Sequence, residues 1–467
     1  MPRNNKICVM GIWHLGCVVS ACLADLGYLV VGVDRDPKKV ENLNNGVPPL
    51  FEPGLEQLLI SNLNSKRLSY TTDLSQAVKD SSYVLITFDT PVSEKDEVDL
   101  SEIFAAAKEL AQCLENGTTI IVSSQVPVGT CEQIKAMIKQ SNPQVSLRAK
   151  RGNLRDCFGA TPLAMTNKQS SLDFDIAYSP ENLRLGQAIS RFKHPDRIVI
   201  GADSPTTLDK VERLFDVISA PKVRMNLRSA EMAKHALNAF LATSISFANE
   251  IANLCDEVGA DALKVAAALG SDERIGQKLP LKPGLAFAGG TLARDLKILQ
   301  NLGDRFGYET HLVDGVLKVN EQQNKLVLRK LNKVYGSIKG LTIGVLGLTY
   351  KAGTSTLRRS AALEIIKDLT SSGAIVKAYD PKADLEEIQQ HREFEFCADP
   401  YTVARDSDAL VIITEWPEFN KLDFDSIKSV MKKPVLIDAK NMLDSEQLVA
   451  KGFLYSGVGR GTDWVVK

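Results

Sequence analysis

The chain has 467 residues, of which 44% are hydrophobic and 24% are charged, and its formal net charge is -1. This composition is that of an ordinary globular protein, and the near-zero charge argues against a broad electrostatic surface for nucleic acid or anionic lipid. No apolar run reaches the roughly 18 residues of a membrane span, the start lacks a signal-peptide pattern, and the eight cysteines include no CxxC pair or metal-like cluster. We therefore expect a cytoplasmic protein with reduced thiols and without a metal, nucleic-acid or membrane site. The length is enough for about three domains.

Residues 6–36 predict a strand, a glycine turn, a helix and a second strand, which is the first unit of a dinucleotide-binding fold. The fingerprint G-x-G-x-x-G occurs as Gly11, Trp13 and Gly16, so the middle glycine is replaced. Asp34 stands at the end of the second strand, where a carboxylate accepts hydrogen bonds from a ribose and repels a 2′-phosphate. The pattern favours NAD as cofactor, with two alternatives: Trp13 could be a packing residue and Asp34 a turn carboxylate.

Later segments predict the rest of an α/β fold. Residues 83–92 and 119–130 are typical of further strands of the same sheet. The polar, basic stretch 139–172 predicts a solvated loop, to which we assign no function. A second strand, turn, helix and strand unit spans 341–381 and is followed by further strand-like runs.

Between these parts the chain is predicted to be helical. A long amphipathic helix covers 229–261, and Lys234 and Asn238 share one of its faces because they are four residues apart. The pair could be a snorkelling surface pair or part of a site. The small-residue run PGLAFAGGTLARDL, at 283–296, either packs as a turn or lets the backbone approach a ligand closely. A helical segment follows over about 292–338.

Several stretches resemble the UDP-glucose/GDP-mannose dehydrogenase family. The run PGLAFAGGTLARDL is similar to the family's catalytic loop, close to GFGFGGSCxxKD, with Thr291 in the place of the nucleophilic cysteine and Arg294 in the place of a lysine. KKVENLNNGVPPLFEPGLEQLL, DFDIAYSPENLRLGQAISRFKHPDRIVIG and the ending GFLYSGVGR also match family segments. The resemblance therefore covers nearly the whole chain.

The resemblance implies a role for individual residues. Catalytic roles fall to Glu181, Lys234, Asn238, Thr291 and Asp295. Cofactor contacts fall to Gly11, Trp13, Gly16, Asp34, Lys39, Thr90, Gln125 and Arg358. Substrate contacts fall to Arg274, which would reach substrate across a dimer interface, and to Lys282, Phe287, Gly289, Lys351 and Lys440. Gln125, Asn182 and Leu185 depart from the usual family residues near the substrate, so the resemblance identifies neither the sugar nor the nucleotide.

The resemblance also implies an α/β fold with two Rossmann-like, doubly wound parallel-sheet domains joined by a central helical domain. We expect an NAD-binding domain over 1–205, a helical dimerisation domain over 206–325, and a nucleotide-sugar domain over 326–467. A homodimer is expected because the family's central helices carry its subunit contact. A β-hydroxyacid dehydrogenase is a remoter interpretation, against which the second Rossmann-like unit speaks.

The family oxidises the C6 alcohol of a nucleotide sugar to a carboxylate in two hydride transfers to NAD, and the second transfer passes through a cysteine thiohemiacetal. A threonine hydroxyl is far less acidic than a thiol and needs an adjacent base. Three outcomes are open: one transfer that yields an aldehyde, complete oxidation through the aldehyde hydrate, or a catalytically silent homologue that binds NAD and a nucleotide sugar as a regulatory or scaffold protein. We expect an NAD-dependent dehydrogenase of UDP-glucose or a related UDP-hexose.

Overall fold

The computed structural model describes residues 5–91, 98–142, 172–181, 183–287, 291–358 and 360–461. The chain divides into two compact units, Met1–Lys234 and His235–Lys467, and each contains one β-sheet. Among the described residues, no helix has the length and apolar character that a bilayer crossing requires.

The described residues of the first unit form eight strands, eight helices and the start of a ninth helix. Its strands are β1 (Lys6–Met10), β2 (Leu29–Val33), β3 (Leu68–Thr71), β4 (Ser81–Ile86), β5 (Thr119–Val122), β6 (Asp175–Tyr178), β7 (Ile198–Ala202) and β8 (Lys222–Met225). Its helices are α1 (His14–Asp25), α2 (Pro37–Asn44), α3 (Leu55–Asn64), α4 (Leu74–Val78), α5 (Ser101–Cys113), α6 (Thr130–Ser141), α7 (Ala188–Lys193), α8 (Pro205–Leu214) and the first residues of α9 (Leu227–Val258).

The sheet of the first unit has the strand order β3-β2-β1-β4-β5-β6-β7-β8. All neighbouring strands are parallel except β6 and β7, which are antiparallel. Successive residues of β1 alternate between two cores: Ile7 and Val9 pack in the cluster that includes α1 and α3, whereas Cys8 and Met10 pack in the cluster that includes α5 and α6. Helices therefore cover both faces, and the order reverses between β1 and β4, where such folds bind nucleotides.

The second unit combines helices with a six-stranded parallel sheet. Its strands are β9 (Thr342–Leu346), β10 (Ile375–Tyr379), β11 (Glu395–Phe396), β12 (Ala409–Ile412), β13 (Val435–Asp438) and β14 (Leu454–Gly457), in the order β11-β10-β9-β12-β13-β14. Its helices are the remainder of α9, α10 (Ala262–Ser271), α11 (Leu292–Phe306), α12 (His311–Asn324), α13 (Leu326–Tyr335), α14 (Ala361–Ser371), α15 (Leu385–Ile388), α16 (Pro400–Ala404), a 3₁₀ turn (Pro417–Lys421), α17 (Phe424–Val430) and α18 (Ser445–Ala450).

The predicted fold class is confirmed: two sheets of the doubly wound type occur, with a helical region between them in sequence. The helical segment expected over 292–338 forms three helices, because Gly307 adopts the left-handed φ of +67° that ends α11. The domain boundaries at residues 205 and 325 stay a prediction.

The turn after β1 has no room for a side chain at Gly16. A Cβ there would lie 2.0 Å from the carbonyl oxygen of Gly11 and 2.6 Å from Oγ1 of Thr87. We therefore expect Gly16→Ala to lower the free energy of unfolding by about 1–3 kcal/mol, as overpacking does. Urea unfolding of the full chain, followed by circular dichroism, measures this change.

Gly315 provides the matched control for that substitution. It is an exposed residue of α12, and a Cβ at this position meets nothing within 4 Å. Gly315→Ala should therefore leave stability unchanged or raise it by up to about 1 kcal/mol. Equal unfolding midpoints for the two variants would show that the β1 turn can open to accept a methyl group.

Candidate active site

The turn between β1 and α1 is shaped to hold a phosphate. Gly11 has a φ of +86° and its N–H donates to the carbonyl oxygen of Val33 at 3.1 Å. Trp13 is the N-cap of α1, and no side chain in the described part of the chain caps this helix end. Uncapped N–H groups and the helix dipole favour an anion. The arrangement fits the pyrophosphate of NAD, although Trp13 places a Cβ where a glycine is usual.

Asp34 follows β2 directly and is accompanied by a cation. Its side chain is only 11% exposed, and Nζ of Lys39 lies 3.7 Å from its Oδ2. Oδ1 accepts a hydrogen bond from the backbone N–H of Asp36 at 3.1 Å. The carboxylate keeps acceptor capacity for ribose hydroxyls, so the structure brings the predicted pair together in a geometry that fits NAD.

The corresponding carboxylate of the second unit has a different use. Asp380 follows β10 as Asp34 follows β2, but it is only 4% exposed. Its Oδ2 accepts the N–H groups of Leu348 and Thr349, at 2.8 and 2.9 Å, and the indole N–H of Trp416 at 3.0 Å. Because groups of the protein already donate to this carboxylate, Asp380 is not available to a ribose in the way that Asp34 is.

Thr90 and Gln125 lie together in the first unit. The hydroxyl of Thr90 donates to the carbonyl oxygen of Gln125 at 3.0 Å. The segment that leads from Gln125 into α6 is held at its end by Glu231. This fully buried residue of α9 accepts the N–H groups of Gly129 and Cys131 at 2.6 and 2.9 Å. Burial raises the pKa of Glu231 even though both N–H groups oppose the shift.

Lys234 is buried in the first unit with 8% of its surface exposed. Its ammonium donates to the backbone carbonyl oxygen of Glu181 at 2.9 Å, so these two predicted catalytic residues lie together. The segment after Glu181 is held by the buried carboxylate of Glu52, which accepts the N–H groups of Gly186 and Ala188 at 2.8 and 2.7 Å. Burial opposes ionisation of Glu52, but hydrogen bonds from His14 and these N–H groups hold its pKa below its usual value.

Asp295 and Asn238 lie together in the second unit, and His235, which the sequence analysis missed, also contacts Asp295. Oδ1 of Asp295 is 2.7 Å from Nδ1 of His235, and Oδ2 accepts a hydrogen bond from the amide of Asn238. Asp295 and His235 are both 0% exposed, and Asn238 is 6% exposed. The spacing of His235 and Asn238, three residues apart on one helix, is the signal that could have identified the histidine.

Thr291 is exposed and immediately precedes α11. Its carbonyl oxygen accepts the N–H of Asp295 at 3.2 Å, but its hydroxyl makes no capping bond. No ion pair or hydrogen bond joins that hydroxyl to a base within the described ranges. Activation of a hydroxyl as a nucleophile needs such a base.

A cleft of about 490 Å³ in the second unit brings four predicted substrate residues together. Lys282, Phe287, Lys351 and Lys440 line it. Nζ of Lys440 lies 2.7 Å from Oε2 of Glu415, a further lining residue. Partial burial opposes ionisation of Glu415, but the charges of Lys440 and Lys282 hold its pKa below its usual value.

Sequence reasoning missed Glu415 and two threonines that line the same cleft, Thr349 and Thr414. Both stand just after a strand of the second sheet, and the hydroxyl of Thr414 donates to the carbonyl oxygen of Thr349 at 2.9 Å. The carboxyl ends of β9 and β12 are adjacent in a parallel sheet, which was the available signal.

Side-chain amides hold the small-residue loop beside this cleft. Asn249 of α9 accepts the N–H of Gly284 at 2.9 Å and donates to the carbonyl oxygen of Leu285 at 3.1 Å. Asn320 of α12 accepts the N–H of Phe287 at 2.8 Å. The loop is therefore built against two helices up to residue 287.

Two predicted residues do not line the cleft of the second unit. Arg274 has an 88% exposed side chain paired with Asp272, so it lies away from the cleft; its contact across a dimer stays a prediction. Arg358 is exposed and does not line the cleft either. Gly289 lies outside the described residues, as does Asn182. The described residues contain no group of three or more histidine, cysteine, aspartate or glutamate side chains arranged to hold a metal ion.

The Asp34 carboxylate can be tested by NAD binding. Asp34→Ala should weaken binding by about tenfold to a hundredfold, because a charge-assisted hydrogen bond contributes roughly 1.5–3 kcal/mol. It should also reduce the preference for NAD over NADP, since the charge that repels a 2′-phosphate is gone. Isothermal titration calorimetry of both cofactors gives the two affinities.

Asp36→Ala is the control in the same turn. Asp36 accepts the N–H of Lys38 at 2.9 Å and caps α2, so its loss should lower stability but keep NAD affinity. An equal loss of affinity in both variants would mean that Asp34 acts through the turn and not through the ribose.

Three family models match the chain in order. Residues 5–219 match the NAD binding domain of the UDP-glucose/GDP-mannose dehydrogenase family, residues 228–322 match its central domain, and residues 344–445 match its UDP binding domain. The first match confirms NAD as the predicted cofactor.

Curated relatives agree with the family models. UDP-glucose 6-dehydrogenase TuaD of Bacillus subtilis is 38% identical over 457 residues, which cover 98% of this chain and 93% of that protein. UDP-glucose 6-dehydrogenase of Rhizobium meliloti is 38% identical over 463 residues, which cover 97% of this chain and 99% of the relative.

Solved structures show the same relationship. A UDP-glucose dehydrogenase from Pyrobaculum islandicum superposes with a TM-score of 0.85 at 30% identity, over 98% of each chain. A UDP-D-ManNAc dehydrogenase from Pyrococcus horikoshii gives 0.82 at 25% identity, over 97% of this chain and 99% of that one. The predicted enzyme class, an NAD-dependent nucleotide-sugar dehydrogenase, is confirmed, and the chain belongs to the UDP-glucose/GDP-mannose dehydrogenase family.

Proposed function

We propose that the chain oxidises the C6 alcohol of UDP-glucose or a closely related UDP-hexose with NAD, and that it releases the aldehyde after one hydride transfer. The nucleotide and sugar are supported by the relatives, which are named UDP-glucose 6-dehydrogenases. The stop at the aldehyde rests on one observation: the hydroxyl of Thr291 has no base as a partner within the described residues.

The cleft of the second unit supports a substrate with a diphosphate. Lys282, Lys351 and Lys440 line it, and Glu415 is the acidic residue among its described lining residues. Its net positive lining suits the charge of a nucleoside diphosphate, while Phe287 and the small-residue loop supply apolar surface. The match of residues 344–445 to a UDP binding domain model supports the same assignment.

The first step is the loss of a proton and a hydride from the C6 carbinol, which gives the aldehyde. NAD, when bound, accepts the hydride. Lys234 is suited either to take up the proton of the hydroxyl as a neutral amine or, as an ammonium, to stabilise the negative charge that develops on the oxygen. The amide of Asn238 can donate a hydrogen bond to the same oxygen. Asp295 holds that amide by accepting its hydrogen bond.

For the second oxidation, the described residues offer no activated protein nucleophile. The Thr291 hydroxyl is a weak acid and is β-branched, which restricts its orientation. Cys131 cannot substitute for the thiol, because it is fully buried, and burial together with the neighbouring Glu231 raises the pKa of its thiol well above the usual value. A water-derived hydrate of the aldehyde remains the chemical route to an acid, and acid as the main product would contradict the proposed stop.

We further propose a homodimer in the cytoplasm. Phe240, Phe247 and Leu254 of α9 are 57%, 47% and 58% exposed, and they recur every seven residues, which places them on one face of the helix. A stripe of this kind on a helix favours contact with a second copy. The seven cysteines in the described residues are all unpaired, which fits a reducing compartment.

The product is identified by measuring the NADH formed per UDP-glucose consumed and by mass spectrometry of the product. The wild type should give one NADH and the aldehyde, which an added amine reagent can trap. Two NADH and an acid would contradict the stop at the aldehyde. No NADH with UDP-glucose or related UDP-sugars would contradict the proposed activity and favour a silent homologue.

Thr291→Cys should change this stoichiometry. A thiolate is accessible near neutral pH and can add to the aldehyde carbon, so the acid fraction and the NADH count should both rise. Thr291→Ser is the matched control, since it removes the methyl group but keeps a hydroxyl. A rise with serine and not with cysteine would show that the methyl group, and not the missing thiol, limits the second oxidation.

Lys234→Ala tests the role of the buried ammonium. Loss of a general base or charge stabiliser should lower kcat by about 10²–10⁴-fold. NAD affinity, measured by calorimetry, should be retained because the predicted NAD contacts do not include this residue. Full activity of Lys234→Ala would contradict the assignment. Lys234→Arg keeps the charge but cannot act as a neutral base, so its activity separates charge stabilisation from base catalysis.

A further inference from the structure

The carboxylate of Asp295 is completely buried and is bound by two side chains from α9. Nδ1 of His235 lies 2.7 Å from Oδ1, and the amide nitrogen of Asn238 donates to Oδ2. A carboxylate can only accept hydrogen bonds, so Nδ1 of the imidazole is the donor. His235 and Asp295 are both 0% exposed, which removes solvent as a competitor for this bond.

The partners of Asp295 differ from those of Asp380 and Asp438, two other buried carboxylates of the second unit. Asp380 accepts the N–H groups of Leu348 and Thr349, and Asp438 accepts those of Met442 and Leu443, so each holds a turn near its own strand. The bonds of Asp295 to His235 and Asn238 instead join the start of α11 to α9. Their effect is to fix two side chains relative to each other.

Stability alone is a weak reason for this pair. Removing a carboxylate and an imidazole from water is costly, and an apolar pair of similar volume is often as stable or more stable. The pair does provide orientation, because a carboxylate with both oxygens bound cannot rotate freely. One of the bound groups is the amide of Asn238, which the proposed function places at the developing alkoxide.

We propose that His235 is a positioning residue that orients the carboxylate of Asp295, and through it the amide of Asn238, for oxidation of the substrate alcohol. The inference rests on the proposed function, which makes Asn238 a donor to the substrate oxygen. With one N–H of its amide bound to Asp295, Asn238 has a second N–H for which the described residues show no acceptor. Loss of His235 removes the donor that holds Oδ1 of Asp295, so the carboxylate and the amide bound to it should be less firmly oriented.

Substitutions at His235 separate orientation from packing. The side-chain amide of asparagine reproduces the reach of Nδ1, so His235→Asn keeps a donor for Asp295, whereas His235→Leu fills the space without one. His235→Leu should lower kcat by about 100-fold, the effect of a small misplacement of a catalytic group. His235→Asn should restore the rate to within about tenfold of the wild type, and NAD affinity should stay the same in both.

A double-mutant cycle shows whether His235 acts through Asp295. In the Asp295→Asn background the carboxylate is already gone, so His235→Leu should cause little further loss of kcat. Ser246→Ala is the matched control, because it removes another buried hydrogen bond of α9, from the hydroxyl to the carbonyl oxygen of Val316 at 3.2 Å. It should lower the melting temperature and leave kcat unchanged.

Proton NMR of the free protein tests the contact without turnover. An imidazole N–H held by a buried carboxylate gives a strongly downfield, slowly exchanging signal. That signal should be present in the wild type and absent from both His235→Asn and Asp295→Asn. Its presence in either variant, or its absence from the wild type, would overturn the proposed contact.

The remaining outcomes distinguish the two proposals. Equal losses of kcat in His235→Leu and His235→Asn, or full additivity with Asp295→Asn, would reduce His235 to a packing residue and overturn the inference. A wild type that forms no NADH from UDP-sugars overturns the proposed function and, with it, the role of His235 in alcohol oxidation. In that case the NMR signal would still decide whether the His235 to Asp295 bond exists.

Discussion

Buried carboxylates hold the ligand-facing segments of both units. A loop beside a binding site must expose its side chains to a ligand while its backbone N–H groups stay satisfied. Glu52 and Glu231 meet this requirement in the first unit by accepting pairs of N–H groups. Asp380 and Asp438 do so in the second unit. Without these acceptors each segment would leave buried donors unpaired, at a cost of roughly 1–3 kcal/mol per group.

The surroundings of these carboxylates decide their ionisation. Glu52 and Glu231 both accept two backbone N–H groups, and burial raises the pKa of each. At Glu52 the hydrogen bonds outweigh burial and its pKa is lowered, whereas at Glu231 burial prevails and its pKa is raised. Glu231 is the more deeply buried of the two and has the like charge of Glu132 nearby. His14, whose Nε2 lies 3.3 Å from Oε2 of Glu52, adds a hydrogen bond that lowers the pKa of Glu52. His14 is also the first residue of α1, so Glu52 connects the dinucleotide turn with the segment after Glu181.

The two sheets share a plan but use their acidic residue differently. Gly11 donates to the end of β2 and Gly347 donates to the end of β10, so both turns leave the first strand in the same way. Asp34, beside Lys39, can still accept hydrogen bonds from a ligand. Asp380 already accepts hydrogen bonds from Leu348, Thr349 and Trp416. This difference agrees with the match of only the first unit to an NAD binding domain. In the second unit, the polar side chains that line the cleft include three lysines, two threonines and Glu415.

The sequence by itself determined the fold class, the family and the cofactor, because periodicity, glycine spacing and ordered motifs are local properties of the chain. It also named residues that the structure brings together in pairs, such as Lys234 with Glu181 and Asn238 with Asp295. Only the tertiary structure identified His235, Glu231 and Glu415, whose partners are distant in sequence or stand on another strand or helix. It alone also showed that the Thr291 hydroxyl lacks a basic partner within the described residues and that Asp380 accepts its hydrogen bonds from the protein itself. Both findings depend on which side chains meet in space, and no local pattern of the sequence encodes that.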